Sequence, residues 1–183
     1  MNKVYLLTKN ADKIKAANLI FNRYSIEVFG SDIEIPEIQA DSSAEIAKAT
    51  VEQAYKLEQK PFIREDHSFF IKELGIPGPY MSFVDKRISV DQLLKIVNTL
   101  TSREAYFELS AAYIDNNGVV SQFSYQVPIE LGTEVRGSEK LRWERLMKFP
   151  GEEKVFAEFG PDERIEIWSK NYEDIAKLIS SNK

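Results

Sequence analysis

The sequence predicts an α/β fold, and three features of its hydrophobic pattern predict it. A short apolar run, Val4-Tyr5-Leu6-Leu7, stops at Thr8-Lys9-Asn10 and gives way to apolar positions at helical spacing, Ile14, Ala17, Phe21 and Tyr24. From Tyr106 to Val127 the period falls to two around Asn116-Asn117-Gly118, the pattern of a long antiparallel hairpin. Helical spacing returns at Tyr172, Ile175, Ala176 and Ile179. The chain therefore reads as α/β at the front, a β hairpin in the middle and a helix at the end.

The remaining elements follow in order. Ser25 to Phe29 suits a second strand, and Ser42-Ser43-Ala44-Glu45 has the spacing of a capping box that opens a helix to about Leu57, with Ala47, Val51 and Ala54 on one face. Phe62 to Glu65 suits another strand. Ile76-Pro77-Gly78-Pro79-Tyr80 is excluded from helices and central strands, because two prolines remove backbone donors and fix φ, so a shaped loop is expected. Ser89-Val90-Asp91-Gln92 is a further capping box, followed by Val90, Leu93, Leu94 and Val97 on one helical face. Asn171 is a plausible cap for the last helix.

At 183 residues the chain is long enough for one sizeable core and short for two, so a single domain over 1–183, with room for two lobes, is expected. Hydrophobic residues at 43% and charged residues at 29% fit a globular protein and argue against disorder. The net charge of −5 argues against a nucleic-acid polymer as partner, since affinity for a phosphate backbone comes from Lys and Arg, but leaves a small phosphorylated ligand open. No cysteine is present, which excludes disulfides, thiolate nucleophiles and cysteine metal sites. The N-terminal apolar run is too short for a signal peptide or a membrane span, so no membrane and a cytoplasmic location are expected.

Three polar segments carry the chemistry. Thr8-Lys9-Asn10-Ala11-Asp12-Lys13 lies where a buried strand meets a helix, and a helix N-terminus with Asn10 and Lys13 suits a phosphate; taken alone, the segment reads more simply as an Asn-capped helix with a solvated Lys. In Ile35-Pro36-Glu37-Ile38-Gln39, Pro36 stiffens the backbone beside a carboxylate that is either an ion ligand or simply exposed. In Arg64-Glu65-Asp66-His67-Ser68, adjacent carboxylates at the end of an apolar strand repel each other unless a cation or solvent relieves them, which points to Mg²⁺. His67, the sole histidine, reads as structural or solvated.

With Leu74-Gly75-Ile76-Pro77-Gly78-Pro79-Tyr80 behind them, these segments resemble the inosine triphosphate pyrophosphatase family in order and spacing over residues 3 to 83, apart from an apparent one-residue deletion near Gly75. The resemblance implies an elongated two-lobed domain, a long twisted mixed sheet flanked by helices, and a site in a cleft between the lobes. It implies Glu37 and Asp66 as Mg²⁺ ligands, and Asp66, Glu65 and Lys13 as catalytic residues. Substrate contacts are implied for Thr8, Asn10, Lys13, Trp143, Glu144, Arg164 and Lys170. The implied reaction is hydrolysis of a nucleoside triphosphate to monophosphate and pyrophosphate by a homodimer, with Pro77 to Val84 and the helix after Ser89 as contacts.

The second half departs from the family pattern. Where relatives carry Phe-Gly-Trp/Tyr-Asp-Pro at the purine pocket, this chain reads Leu141-Arg142-Trp143-Glu144-Arg145. Glu163-Arg164 stands for Glu-Lys, Trp168-Ser169-Lys170 aligns with the base-reading Ser-His-Arg, and a lysine of the second helix falls at Thr50, with Lys48 nearby. Two readings fit: an enzyme with altered base specificity, or a catalytically degenerate paralogue that binds nucleotides or partners. The retained Asn10, Lys13, Glu37, Glu65 and Asp66 favour the enzyme.

Overall fold

The computed structural model describes residues 2–160, Glu163 and residues 165–181. The elements are β1 (Asn2–Leu7), α1 (Ala11–Phe21), β2 (Ile26–Ser31), α2 (Ser43–Glu58), β3 (Phe62–Ile71), β4 (Ile76–Gly78), α3 (Met81–Asp85) and α4 (Val90–Val97). There follow β5 (Glu104–Ile114), β6 (Val120–Leu131), β7 (Met147–Lys148), α5 (Ile165–Trp168) and α6 (Lys170–Ser181). The strands form one sheet in the order β2-β1-β3-β5-β6-β7, with β4 added to β3. β1 is parallel to both β2 and β3, whereas β4 and β7 are antiparallel to their neighbours. This is the mixed, helix-flanked sheet the sequence predicts.

The chain divides into two compact units: residues 1–66, 109–125 and 165–183, and residues 67–108 and 126–164. In the first, strand alternation sends side chains to two cores. Val4, Leu6 and Ile63 pack with Phe21 of α1 and Tyr172, Ile175 and Ile179 of α6. Leu7, Phe62, Ala112 and Ile114 pack with Ala47, Val51 and Ala54 of α2. The two helical layers thus cover opposite faces. The Ser42 hydroxyl caps α2 by accepting the Glu45 N–H at 3.2 Å. The turn after β5 is held by Asp115, whose carboxylate accepts the N–H groups of Asn117 and Val119, each at 2.8 Å.

The second unit is built on aromatic rings. Phe69 packs against Phe107 and, edge-on, against Trp143, with centroids 4.8 and 6.4 Å apart. Phe156 contacts Phe107, Phe149 and Phe159. Ser89 and Gln92 form the predicted capping box at the start of α4.

Three local expectations need correction. β3 runs on to Ile71 instead of ending at Glu65: it pairs with β1 at Phe62 and Ile63 and with β4 from Phe69 to Ile71, and the polar stretch between them hides the alternation. Ile76–Gly78 is a short strand at an added edge, with a cis Ile76–Pro77 bond, and the segment to Val84 includes α3. An edge is where a strand tolerates proline. Asn171 does not cap α6; it is fully buried in the first turn, and the Ser169 carbonyl accepts the Tyr172 N–H at 3.0 Å.

Candidate functional site at the ends of β1 and β3

The order β2-β1-β3 contains a reversal: the chain leaves β1 through α1 to reach β2, then returns through α2 to β3 on the far side of β1. With the two crossing helices on opposite faces, the C-terminal ends of β1 and β3 diverge into a crevice, the usual ligand position of an open parallel sheet. A cavity of about 620 Å³ lies there, lined by Leu7, Thr8 and Lys9 after β1, Ser31 to Pro36 after β2, Thr50 of α2 and Arg64 of β3.

The Thr8 to Lys13 turn is fixed by its own side chains. The Thr8 hydroxyl accepts the Asn10 N–H at 3.1 Å, and the Asn10 side-chain oxygen accepts the Lys13 N–H at 3.4 Å. Asn10 is therefore the cap that starts α1, and the helix N-terminus opens directly beyond β1. The partial positive charge of that terminus favours an anion.

Charge within the cavity is balanced, with cations Lys9 and Arg64 and carboxylates Asp32 and Glu34. Lys9 pairs with Glu34 at 3.2 Å, both largely exposed. Arg64 is held more firmly: its guanidinium donates to the Leu7 carbonyl at 3.2 Å and to the Glu37 carboxylate. Thr50 turns its hydroxyl back to the Ile46 carbonyl at 2.7 Å. Lys48 is outside the cavity lining, 4.0 Å from Glu52 on the same helix.

Glu65 faces the other way. Its side chain, only 2% exposed, lies 3.3 Å from the Lys13 ammonium and accepts the Tyr172 hydroxyl at 2.9 Å. Burial, and then the charge of Glu65, pushes the Tyr172 phenol well above the usual tyrosine range. Asp66 is half-buried and, two residues from Arg64, belongs to the cavity face of β3. The expected residues are thus split by the sheet: Thr8, Glu37 and Asp66 go with the cavity face, Lys13 and Glu65 with the α1/α6 face.

Lys170, also in the first unit, sets its ammonium 3.9 Å from the centre of the Tyr125 ring. Trp143 and Glu144 belong to the second unit. Trp143 is 2% exposed and donates its ring N–H to the Ile88 carbonyl at 2.8 Å. Arg142 beside it donates to the Asp85 carbonyl at 3.2 Å. Arg164 lies outside the described residues. Arg64 and Tyr172 are site residues that the sequence does not single out. The signal available for Arg64 is a positive charge at the head of the polar run that follows Phe62-Ile63.

The profile of the Ham1 family matches residues 4–180. A dITP/XTP pyrophosphatase of Ignicoccus hospitalis is 34% identical over 182 residues, covering 97% of each chain. A second, from Methanopyrus kandleri, is 33% identical over 166 residues, covering 90% of this chain and 88% of its own. Among solved structures, a HAM1 protein from Coxiella burnetii superposes with a TM-score of 0.83 at 18% identity, over 99% of this chain and 100% of that one. The Staphylococcus aureus Ham1 protein gives 0.82 at 20% identity, over the whole of both chains (100% each). The structural likeness speaks for the fold, and the extent and identity of the sequence matches speak for descent. The chain belongs to the Ham1 family, the inosine triphosphate pyrophosphatase family that its polar segments resemble.

Proposed function

We propose that this chain hydrolyses a nucleoside triphosphate to the monophosphate and pyrophosphate. The observation that carries the reading is the cavity at the reversal of the sheet, between a capped helix N-terminus and Arg64. Relatives named dITP/XTP pyrophosphatase support the same reaction class and weigh against the non-catalytic alternative.

The donor set suits a hard divalent cation. Glu37 and Asp66 offer carboxylate oxygens, and the described residues contain no group of three or more His, Cys, Asp or Glu able to cage an ion. That combination fits Mg²⁺, which takes one or two carboxylates and completes its shell with phosphate oxygens and water. Bound between Glu37, Asp66 and the substrate, Mg²⁺ would supply charge neutralisation on the phosphates.

The chain's own groups do the rest. Thr8 and the first amides of α1 bind phosphate oxygens, and Asp66 orients the attacking water and takes its proton. Lys13 adds positive charge at the start of α1. Glu65 acts through Lys13 as a positioning residue, since its carboxylate is buried between Lys13 and Tyr172. The base end departs in sequence from the family pattern, and the resemblance alone assigns Trp143, Glu144, Arg164 and Lys170 to base preference. A homodimer is proposed through Phe83 and its neighbours on α3, of which Phe83 is 58% exposed.

Pyrophosphate release from dITP, XTP and ordinary, methylated and oxidised nucleotides, with and without Mg²⁺, tests the reading. Asp66→Asn and Glu37→Gln are each expected to lower turnover by about a hundredfold or more. Release from none of the panel, with nucleotide still bound, would leave the binding-module alternative. Efficient and selective turnover of dITP and XTP would remove the altered base preference. A monomer by light scattering at micromolar concentration would remove the dimer.

A further inference from the structure

We infer that Arg64 and a divalent cation compete for Glu37, so that Arg64 neutralises this carboxylate in the free enzyme and passes to the substrate's phosphates when the cation arrives. The inference rests on the proposed function and deepens it by assigning a role to a residue outside the expected set.

Four observations meet at this side chain. Arg64 rises from β3 on the face that lines the cavity, with its guanidinium anchored on the Leu7 carbonyl at the end of β1. The same guanidinium holds Glu37, one of the two carboxylates proposed above to hold the cation. Exposure of the two partners is unequal: the Glu37 side chain is 58% exposed and that of Arg64 is 21% exposed. A cation from solvent therefore reaches the carboxylate without crossing the guanidinium. Finally, among the described residues the buried Nε of Arg64 has no hydrogen-bond partner, so the guanidinium is not fully committed to Leu7 and Glu37.

Charge balance gives the exchange a direction. With Glu37 counted beside the lining residues, three carboxylates face two cations, so a triphosphate entering alone meets no surplus of cationic side chains. A cation that takes Glu37 adds its own charge and also releases Arg64, whose planar fork matches phosphate oxygens in pairs. Metal and phosphate then assist one another through Arg64, and by linkage the assistance is mutual. Thr50 on the opposing helix is neutral and has already spent its hydroxyl on Ile46, so it does not duplicate this role.

Two equilibrium measurements without turnover test the exchange. The first is Mn²⁺ binding to the nucleotide-free protein, followed by the resonance of free Mn²⁺. Arg64→Leu is expected to bind Mn²⁺ about fivefold or more tightly than the wild type. The second is calorimetric binding of inorganic triphosphate in EDTA. There Glu37→Gln, which frees Arg64, should bind triphosphate more tightly than the wild type, and Arg64→Leu more weakly. A merely structural ion pair would move both variants the same way.

Mn²⁺ affinity of Arg64→Leu within about twofold of the wild type, or absent, overturns the inference. So does a Glu37→Gln protein with unchanged or weaker triphosphate binding. Arg64→Gln replaces Arg64→Leu in both assays if the latter does not fold. Because neither assay requires hydrolysis, a protein that releases no pyrophosphate yet shows these opposite shifts would refute the pyrophosphatase reading alone.

Discussion

Replacing Tyr172 with Phe tests the buried side of the site most directly. The hydroxyl donates to the Glu65 carboxylate at 2.9 Å, and Tyr172 is 1% exposed. Its ring packs 6.0 Å from that of Phe21, a contact that Phe retains, so the substitution removes a hydrogen bond and little else. A hydrogen bond to a charged group contributes about 1.5–3 kcal/mol. The ion-pair partner Lys13, 31% exposed at 3.3 Å, compensates only weakly, since a solvated cation gives up little hydration to tighten a pair. We therefore expect Tyr172→Phe to cost roughly 2 kcal/mol. With a urea slope of about 2 kcal/mol/M, the unfolding midpoint falls by about 1 M. The loss belongs to neutral pH. The folded phenol titrates above its unfolded value, so its contribution is complete below the ordinary tyrosine range and is lost as pH rises beyond it. A neutral-pH loss below about 0.5 kcal/mol would refute the reasoning, because a charged, buried Glu65 cannot surrender its donor so cheaply.

Other substitutions probe the fold itself. Glu73 accepts the Thr101 hydroxyl at 2.8 Å and the N–H groups of Thr101 and Ser102 at 2.9 and 3.0 Å, which holds its carboxyl below the usual range. Its contribution is complete above the ordinary glutamate range and lost as pH falls through the lowered value, so Glu73→Gln should flatten the acid limb of urea midpoints measured from about pH 6 to 2. Ser89→Ala removes the capping box of α4 and should cost about 1 kcal/mol by the same assay. Gly118 has φ +79°, and an added Cβ would meet the Tyr55 ring at 3.1 Å. Gly118→Ala should lower the melting temperature, by an amount matching roughly 1–2 kcal/mol.

Much of the fold was legible because its signals are local. Ser42 needs only Glu45, and Ser89 only Gln92, to declare a helix start, and three or four apolar side chains at helical spacing declare the buried face. The family resemblance at the front of the candidate site was legible for a different reason: Thr8, Asn10, Glu37 and Asp66 stand in an order and spacing that chance seldom produces. Asn10 did prove to be the cap of α1.

The sequence by itself thus determined most element types, the caps of α1, α2 and α4, the hairpin and the family. It did not determine which side of the sheet each polar residue would occupy. Arg64 to Ser68 is an unbroken polar run, and period two has no visible phase when no apolar residue marks the inner face. Phase came instead from pairing of β3 with β1 and from the cover on each face. Arg64 was turned to the cavity and to Glu37, and Glu65 to Lys13 and Tyr172, a partner 107 residues away. Buried Asn171 has the same lesson: a residue that reads as a cap was drawn inside α6 by the packing of its neighbours. Side-chain chemistry is written residue by residue, but the partner that gives a buried charge its role is chosen only when distant segments close around it.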